Sequence, residues 1–155
     1  MKGDPHSQLS IEIQDKQRPP QAMEDIGLGD ACLLDALAQF DLYGVWRIDL
    51  ETGMVYWSRD VFEIYGIPYH DGPVDIRKAI EAYHPDDRAL VSSCIEEAAA
   101  RKTGYRFVLR LQCADGGFKL VKSSGRYRVN QDGREEIFGT FSQFHERVRA
   151  VAVIA

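Results

Sequence analysis

The stretch AYHPDDRALV, residues 82–91, sets a histidine beside two aspartates: His84, Asp86 and Asp87. Side chains of these types can hold a metal ion or move protons. Helix physics offers a different reading. Pro85 disfavours helical angles at His84 and suits the first turn of a new helix, where its missing N–H removes no hydrogen bond. Asp86 and Asp87 then fall among the free N–H groups at the positive end of the helix dipole. Leu90, Val91, Cys94 and Ala98 recur at helical spacing, Arg101 and Lys102 lie at the negative end, and Gly104 is the expected stop. On this reading the two carboxylates cap a helix and have no chemical role.

Working outward toward the N-terminus, Ile76, Ala79, Ile80 and Tyr83 share the face of a preceding helix that must end near His84. The segment RDVFEIY, 59–65, is a shorter helix. Ser58 is placed to cap it, and Gly66 and Pro68 follow its end. GVWRIDLETGMVYWS, 44–58, reads as a hairpin: Trp46, Ile48 and Leu50 alternate with Val45, Arg47 and Asp49, and Thr52-Gly53 supplies the turn. Before it, DACLLDALAQF, 30–40, carries Leu33, Leu34, Leu37 and Phe40 at helical spacing behind Asp30 as an N-cap. That apolar stripe needs a cover, either its own domain or a dimer partner. Residues 1–28 are polar and broken by Pro19-Pro20, so a disordered leader is expected, with LSIEI as a possible short strand.

Toward the C-terminus the period changes to two. In YRFVLRLQC, 105–113, Tyr105, Phe107, Leu109, Leu111 and Cys113 alternate with Arg106, Val108, Arg110 and Gln112. Asp115-Gly116 marks a turn, FKLVKSSGRYRV follows, NQDG marks a second turn, and EEIFGTFSQF ends the run, giving an antiparallel meander. Gly125 and Gly139 interrupt strands, which suggests bulges or close approach to a helix. The fold class is therefore α+β: a five-stranded antiparallel sheet with short helices over one face and an N-terminal amphipathic helix. The expected division is a leader at 1–28, the helix at 29–42, the main domain at 43–147 and a tail at 148–155.

The totals exclude several functions. The 155 residues suffice for one domain with a real core. The net charge of -5 disfavours nucleic acid as a partner. The three cysteines, Cys32, Cys94 and Cys113, form no C-x-x-C pair, and their odd number without an export signal points to reduced thiols in the cytoplasm. No apolar run is long enough to insert in a membrane. No Gly-rich phosphate loop, zinc spacing or nucleophile elbow appears, so no enzyme activity is expected. The meander cations Arg106, Arg110, Lys119, Lys122, Arg126 and Arg128 read as a solvated face, or more sharply as a docking surface for an acidic protein.

This element order, with GVWRIDLETG, the WS before the first helix, YGIP at its end, HPDDR, Arg110 with DGG, and DGREEIFGTF, resembles a PAS domain over roughly residues 43–147. Such domains are sensor and interaction modules of signalling proteins. The resemblance implies a regulator that docks as a homodimer or on a signalling protein such as a histidine kinase. The alternative is a sensor for a small molecule or cofactor. A pocket beneath the helices would be lined by Trp46, Ile48, Trp57, Phe62, Tyr83, Cys94, Phe107 and Leu109, although the same side chains can simply fill a core. A light-sensing flavin needs a cysteine in an Asn-Cys-Arg setting, and Cys94 sits in SSCIEE. Haem is often held by a histidine on the helix after HPDDR, and residues 86–103 contain none. No cofactor is expected. The usual closing Asp-Ile-Thr-Glu-Arg is replaced by Gln143, Phe144, His145, Glu146 and Arg147, and a frequent tryptophan by Leu120. The Asp and Thr that help couple such a sheet to an effector are thus missing. Only AVAVIA follows Arg149, which suits either a stand-alone domain or part of a longer chain.

Overall fold

A computed structural model describes residues 6–14 and 18–155. The chain divides into two units, Met1–Ala36 and Leu37–Ala155. In the first, the described part of the leader contains no strand, so LSIEI does not form one, and a single 3-10 turn occupies Met23–Ile26. The rest of the expected leader lies outside the described residues. Helix α1 spans Asp30–Leu37, with Asp30 inside its first turn rather than before it, and none of its residues is buried. Phe40 lies beyond its end.

The second unit is a sheet with helices on one face. Strands β1 (Tyr43–Asp49) and β2 (Val55–Trp57) form the expected hairpin, with Gly53 at φ +74° in its turn. Helices α2 (Arg59–Tyr65), α3 (Ile76–Glu81) and α4 (Arg88–Arg101) follow, then β3 (Gly104–Gln112), β4 (Phe118–Val129) and β5 (Glu135–Gln143). The sheet order is β2-β1-β5-β4-β3, and every pairing is antiparallel. The hairpin therefore joins the meander through β1 and β5, in register from Tyr43↔Ser142 to Asp49↔Glu136. The core lies between the inner sheet face and the helices. It contains Trp46, Ile48, Phe107, Leu109, Val121, Ile137 and Phe141 from the strands, with Val61, Ile64, Val91 and Ala98 from the helices.

Several local readings change. Ser58 precedes α2, but its hydroxyl makes no capping bond; Oγ accepts from the Val45 N–H at 2.9 Å and ties the helix start to β1. Helix α3 ends at Glu81, so Tyr83 lies past it, bridged to Leu111. Helix α4 ends at Arg101, its C-cap Lys102 adopts the left-handed conformation at φ 54°, and Gly104 opens β3 instead of stopping the helix. Gly125 and Gly139 face each other across β4 and β5. A Cβ on Gly125 would lie 2.5 Å from Tyr105 Cε1 and 2.9 Å from Trp46, and one on Gly139 would lie 1.7 Å from the Ser124 carbonyl oxygen. These glycines make room for aromatic rings and a neighbouring strand, not for a helix. Among the described residues, no helix is long and apolar enough to cross a membrane.

Candidate functional site

The acidic pair does not act as expected. Residues 82–87 run along the open edge of β3: the His84 N–H donates to Arg110 O at 2.9 Å, and the Gln112 N–H donates to Ala82 O at 2.8 Å. An edge strand leaves a row of unpaired backbone groups, and this segment covers part of it. Asp87 stands at the N-cap of α4 but makes no capping bond with its side chain. Its carboxylate reaches Arg110, 23 residues away. Oδ2 accepts from the Arg110 backbone N–H and from Nε, each at 3.0 Å, and Oδ1 accepts from Nη2 at 2.8 Å. Both side chains are buried, at 7% and 10% exposure. The capping role is thus corrected to a buried latch between the helix start and the sheet edge. Arg110 leaves the solvated basic face assigned to it. The Arg110 hydrogen bonds hold the Asp87 carboxyl below the usual carboxylate range, against the opposing effect of burial.

The rest of the HPDDR stretch serves the same turn. Arg88 donates from Nε to Tyr83 O at 3.2 Å and from Nη2 to Glu81 O at 2.8 Å. His84 Nδ1 accepts the Asp86 N–H at 3.1 Å, and the Asp86 side chain is exposed. Both Asp87 oxygens are occupied by Arg110, so this stretch presents no convergent set of free ligands. Among the described residues, no group of three or more His, Cys, Asp or Glu is placed to hold a metal ion.

Between the inner sheet face and the helices lies a cavity of about 50 Å³. That is room for a few water molecules, far below the roughly 300–1,000 Å³ of small-molecule sites. Of the eight residues singled out from sequence, Trp46, Ile48, Trp57, Tyr83 and Phe107 line it. Phe62 is buried to one side against Trp57, Tyr69 and His70; Leu109 is in the core; Cys94 packs half-buried against it. Burial raises the Cys94 thiol pKa, which disfavours a reactive thiolate.

The polar part of the lining was not anticipated. Tyr65, Tyr105 and Ser123 join Tyr83 there. Tyr65 Oη donates to Ala79 O at 3.4 Å, and Tyr105 Oη lies 3.4 Å from Ser123 Oγ. Burial pushes all three phenols well above the ordinary tyrosine range. Among the described residues, every buried side-chain N or O has a partner. Ring contacts run through the cavity wall: Trp57 on Tyr65 with centroids at 4.4 Å, Tyr65 on Phe141 at 5.4 Å, Tyr83 on Phe107 at 5.8 Å. The alternation in β3 could have pointed to Tyr105. Ser123 carried no signal of its own, because its inward position depends on the β4 register.

The outer sheet face is mixed in character. The register sets Val45, Thr140, Ser124 and Arg106 in one row, and Tyr43, Ser142, Lys122 and Val108 in the next. Beyond them, Glu136 is buried with its carboxylate 2.6 Å from Arg128 Nε and 3.7 Å from Arg47 Nη1. The Arg47 and Arg128 guanidiniums also lie over the rings of Tyr56 and Phe138, at 4.3 and 4.1 Å.

The geometry described is that of a sheet wrapped over an aromatic core with its edge latched by HPDDR. The family model for the PAS fold matches residues 54–141. The chain belongs to the PAS-fold family. It is 24% identical over 93 residues to the probable diguanylate cyclase DgcE of Escherichia coli K12, a match that covers 60% of this chain and 8% of that protein. Among solved structures, an RNA-binding light-oxygen-voltage receptor superimposes with a TM-score of 0.60 at 17% identity, covering 71% of this chain and 31% of that one. A sensory box histidine kinase/response regulator from Burkholderia thailandensis gives 0.56 at 22% identity, over 70% and 82%. The N-terminal domain of a diguanylate cyclase with PAS/PAC sensor from Marinobacter aquaeolei gives 0.56 at 16%, over 65% and 94%. At these identities the structural likeness shows the fold. This chain is thus a PAS-fold domain, similar over part of its length to parts of those proteins, and it spans a small part of its curated relative.

Proposed function

We propose that this PAS domain is a cytoplasmic, non-catalytic signalling regulator that works by docking, to a second copy of itself or to a signalling protein such as a histidine kinase. One contrast carries the reading. The space between sheet and helices is filled by aromatic side chains down to about 50 Å³, while Leu33, Leu37 and Phe40 remain 45%, 43% and 55% exposed. Unfilled apolar surface lies outside the domain rather than inside it, and patches of this kind mark contact with another protein. The relatives that are histidine kinases support the choice of partner class. Light scattering on the purified chain tests the self-association branch, with a dimer expected. Affinity capture from native lysate tests the other branch, with a signalling protein expected among the proteins retained. A monomer that captures no signalling protein overturns both.

A second reading, a small-molecule sensor, is favoured by one observation: three phenol hydroxyls and Ser123 gathered at an otherwise apolar cavity. An absorption spectrum separates the two. The docking reading expects a bare protein spectrum, with neither haem nor flavin, whereas a Soret or flavin band would promote the sensor.

A further inference from the structure

We propose that His84 is a proton-sensing site, which loosens the cover on the β3 edge when its ring takes up a proton. The starting point is a hydrogen bond of a recurrent kind. His84 Nδ1 accepts the backbone N–H of Asp86, two residues on, at 3.1 Å. Elsewhere the same bond closes turns at Asp49, Asp75, Asp115 and Asn130, each onto the side-chain Oδ1 at 2.9 Å. Oxygen acceptors of these types serve throughout the neutral range, because carboxylates ordinarily protonate only near about pH 4 and amides not at all. Imidazole differs: its charge change ordinarily falls between about pH 5 and 8. A backbone N–H can only donate, so Nδ1 carries a lone pair in this turn and the proton of the neutral ring sits on Nε2.

Protonation sets two donors face to face at that contact, and the turn has little freedom to relieve it. Pro85 fixes the backbone between the two residues, and the ring lies against Phe118 with centroids 4.7 Å apart. The Asp86 carboxylate, 81% exposed, is 3.9 Å from Nδ1 and is the natural partner for the new N–H. So exposed a pair adds little stability, but it draws Asp86 away from the geometry that offers its backbone N–H. The Asp87 carboxylate also feels the imidazole charge, and Arg110 engages both its oxygens. Arg88 donates to the Tyr83 and Glu81 carbonyls, and alternation along β4 sends Lys119 to the face opposite Phe118. His84 is also what hangs the cover on β3: its own N–H donates to Arg110 O, and Ala82 O, two residues earlier, accepts from Gln112. A turn that rearranges at residues 84–86 therefore pulls on both bonds.

The test follows the isotope-labelled full chain by NMR from about pH 8 to 5. At the upper end His84 is expected as the Nε2–H tautomer, and an Nδ1–H tautomer overturns the proposal before any variant is made. On acidification the exchange protection of the Asp86 and Gln112 amides, corrected for the intrinsic pH dependence of exchange, is expected to fall about fivefold, the weight of one ordinary hydrogen bond. The Glu51 and Asp132 amides, held by Asp49 and Asn130, are internal controls and should keep theirs. In His84→Asn the side-chain oxygen supplies a permanent acceptor at the same position, and protection of both amides is expected to stay level across the range. Protection at Asp86 or Gln112 that holds in the wild type, or that falls equally in His84→Asn, overturns the proposal. The docking reading stands or falls separately, on association.

Discussion

Replacing Asp87 with alanine separates the latch from a simple helix cap. The substitution removes three hydrogen bonds to Arg110, at 3.0, 3.0 and 2.8 Å. It takes the paired carboxylate away from a guanidinium whose side chain is 10% exposed and removes the acceptor of an edge-strand N–H that Asp87 now satisfies. Removing one partner of a buried ion pair costs about 3–5 kcal/mol. Removing an N-cap side chain costs about 1 kcal/mol. The two readings therefore differ by more than the error of a denaturation experiment. Urea unfolding followed by tryptophan fluorescence should show a midpoint lowered by on the order of 2 M, given slopes of about 1–3 kcal/mol per M. Arg110→Met, which keeps the stem and removes the charge, completes a double-mutant cycle. The cycle should give a coupling of roughly 2–3 kcal/mol, the upper part of the range of about 0.5–3 kcal/mol for residues in one network. A cost near 1 kcal/mol that simply adds to that of Arg110→Met would refute the latch.

Other outcomes follow from the same structure. Because the Asp87 carboxyl is held low by Arg110, the unfolded chain takes up a proton first as pH falls, so this stabilisation is present above about pH 4 and fades below it. The stability gap between wild type and Asp87→Asn should therefore shrink on acidification in equilibrium unfolding, and a gap independent of pH would contradict the assignment. Tyr65, Tyr83 and Tyr105 are raised by burial, so their stabilisation is complete below about pH 10 and is lost as pH climbs above it. In an ultraviolet titration these three of the seven tyrosines should ionise only with unfolding, and seven independent ionisations in the folded protein would be the contrary result. Gly139→Ala puts a methyl against the Ser124 carbonyl and should destabilise the domain by at least about 1–3 kcal/mol in the same urea assay. A change within about 0.5 kcal/mol would show that β4 and β5 are less tightly apposed than described.

The period of the side chains made the architecture legible. Alternation at Trp46 and Ile48, and at Phe107, Leu109 and Leu111, placed the inner face of the sheet, and turn residues placed the hairpins. The resemblance carried by HPDDR and DGREEIFGTF pointed to the family. Illegible were contacts that join distant parts of the chain. Helix physics explains an aspartate after His-Pro without any partner, and nothing local says that Arg110 will come to meet it. Ser58 failed as a cap for the same reason, since β1 offered its hydroxyl the Val45 N–H. Gly125 and Gly139 announced a close approach, but what approaches is set by the β4 and β5 register and by the Trp46 and Tyr105 rings. Five of the eight residues singled out for a pocket wall line the cavity; of its hydroxyls, those of Tyr105 and Ser123 depend on which strand residues turn inward, while Tyr65 comes from the end of α2 and Tyr83 from beyond α3.

Sedimentation velocity of the unmodified chain across a wide concentration range tests the central claim, that this PAS domain works by touch. The account predicts a reversible shift from one chain to two as concentration rises. A single sedimenting monomer at every concentration, from a preparation whose spectrum carries a bound chromophore, would contradict it.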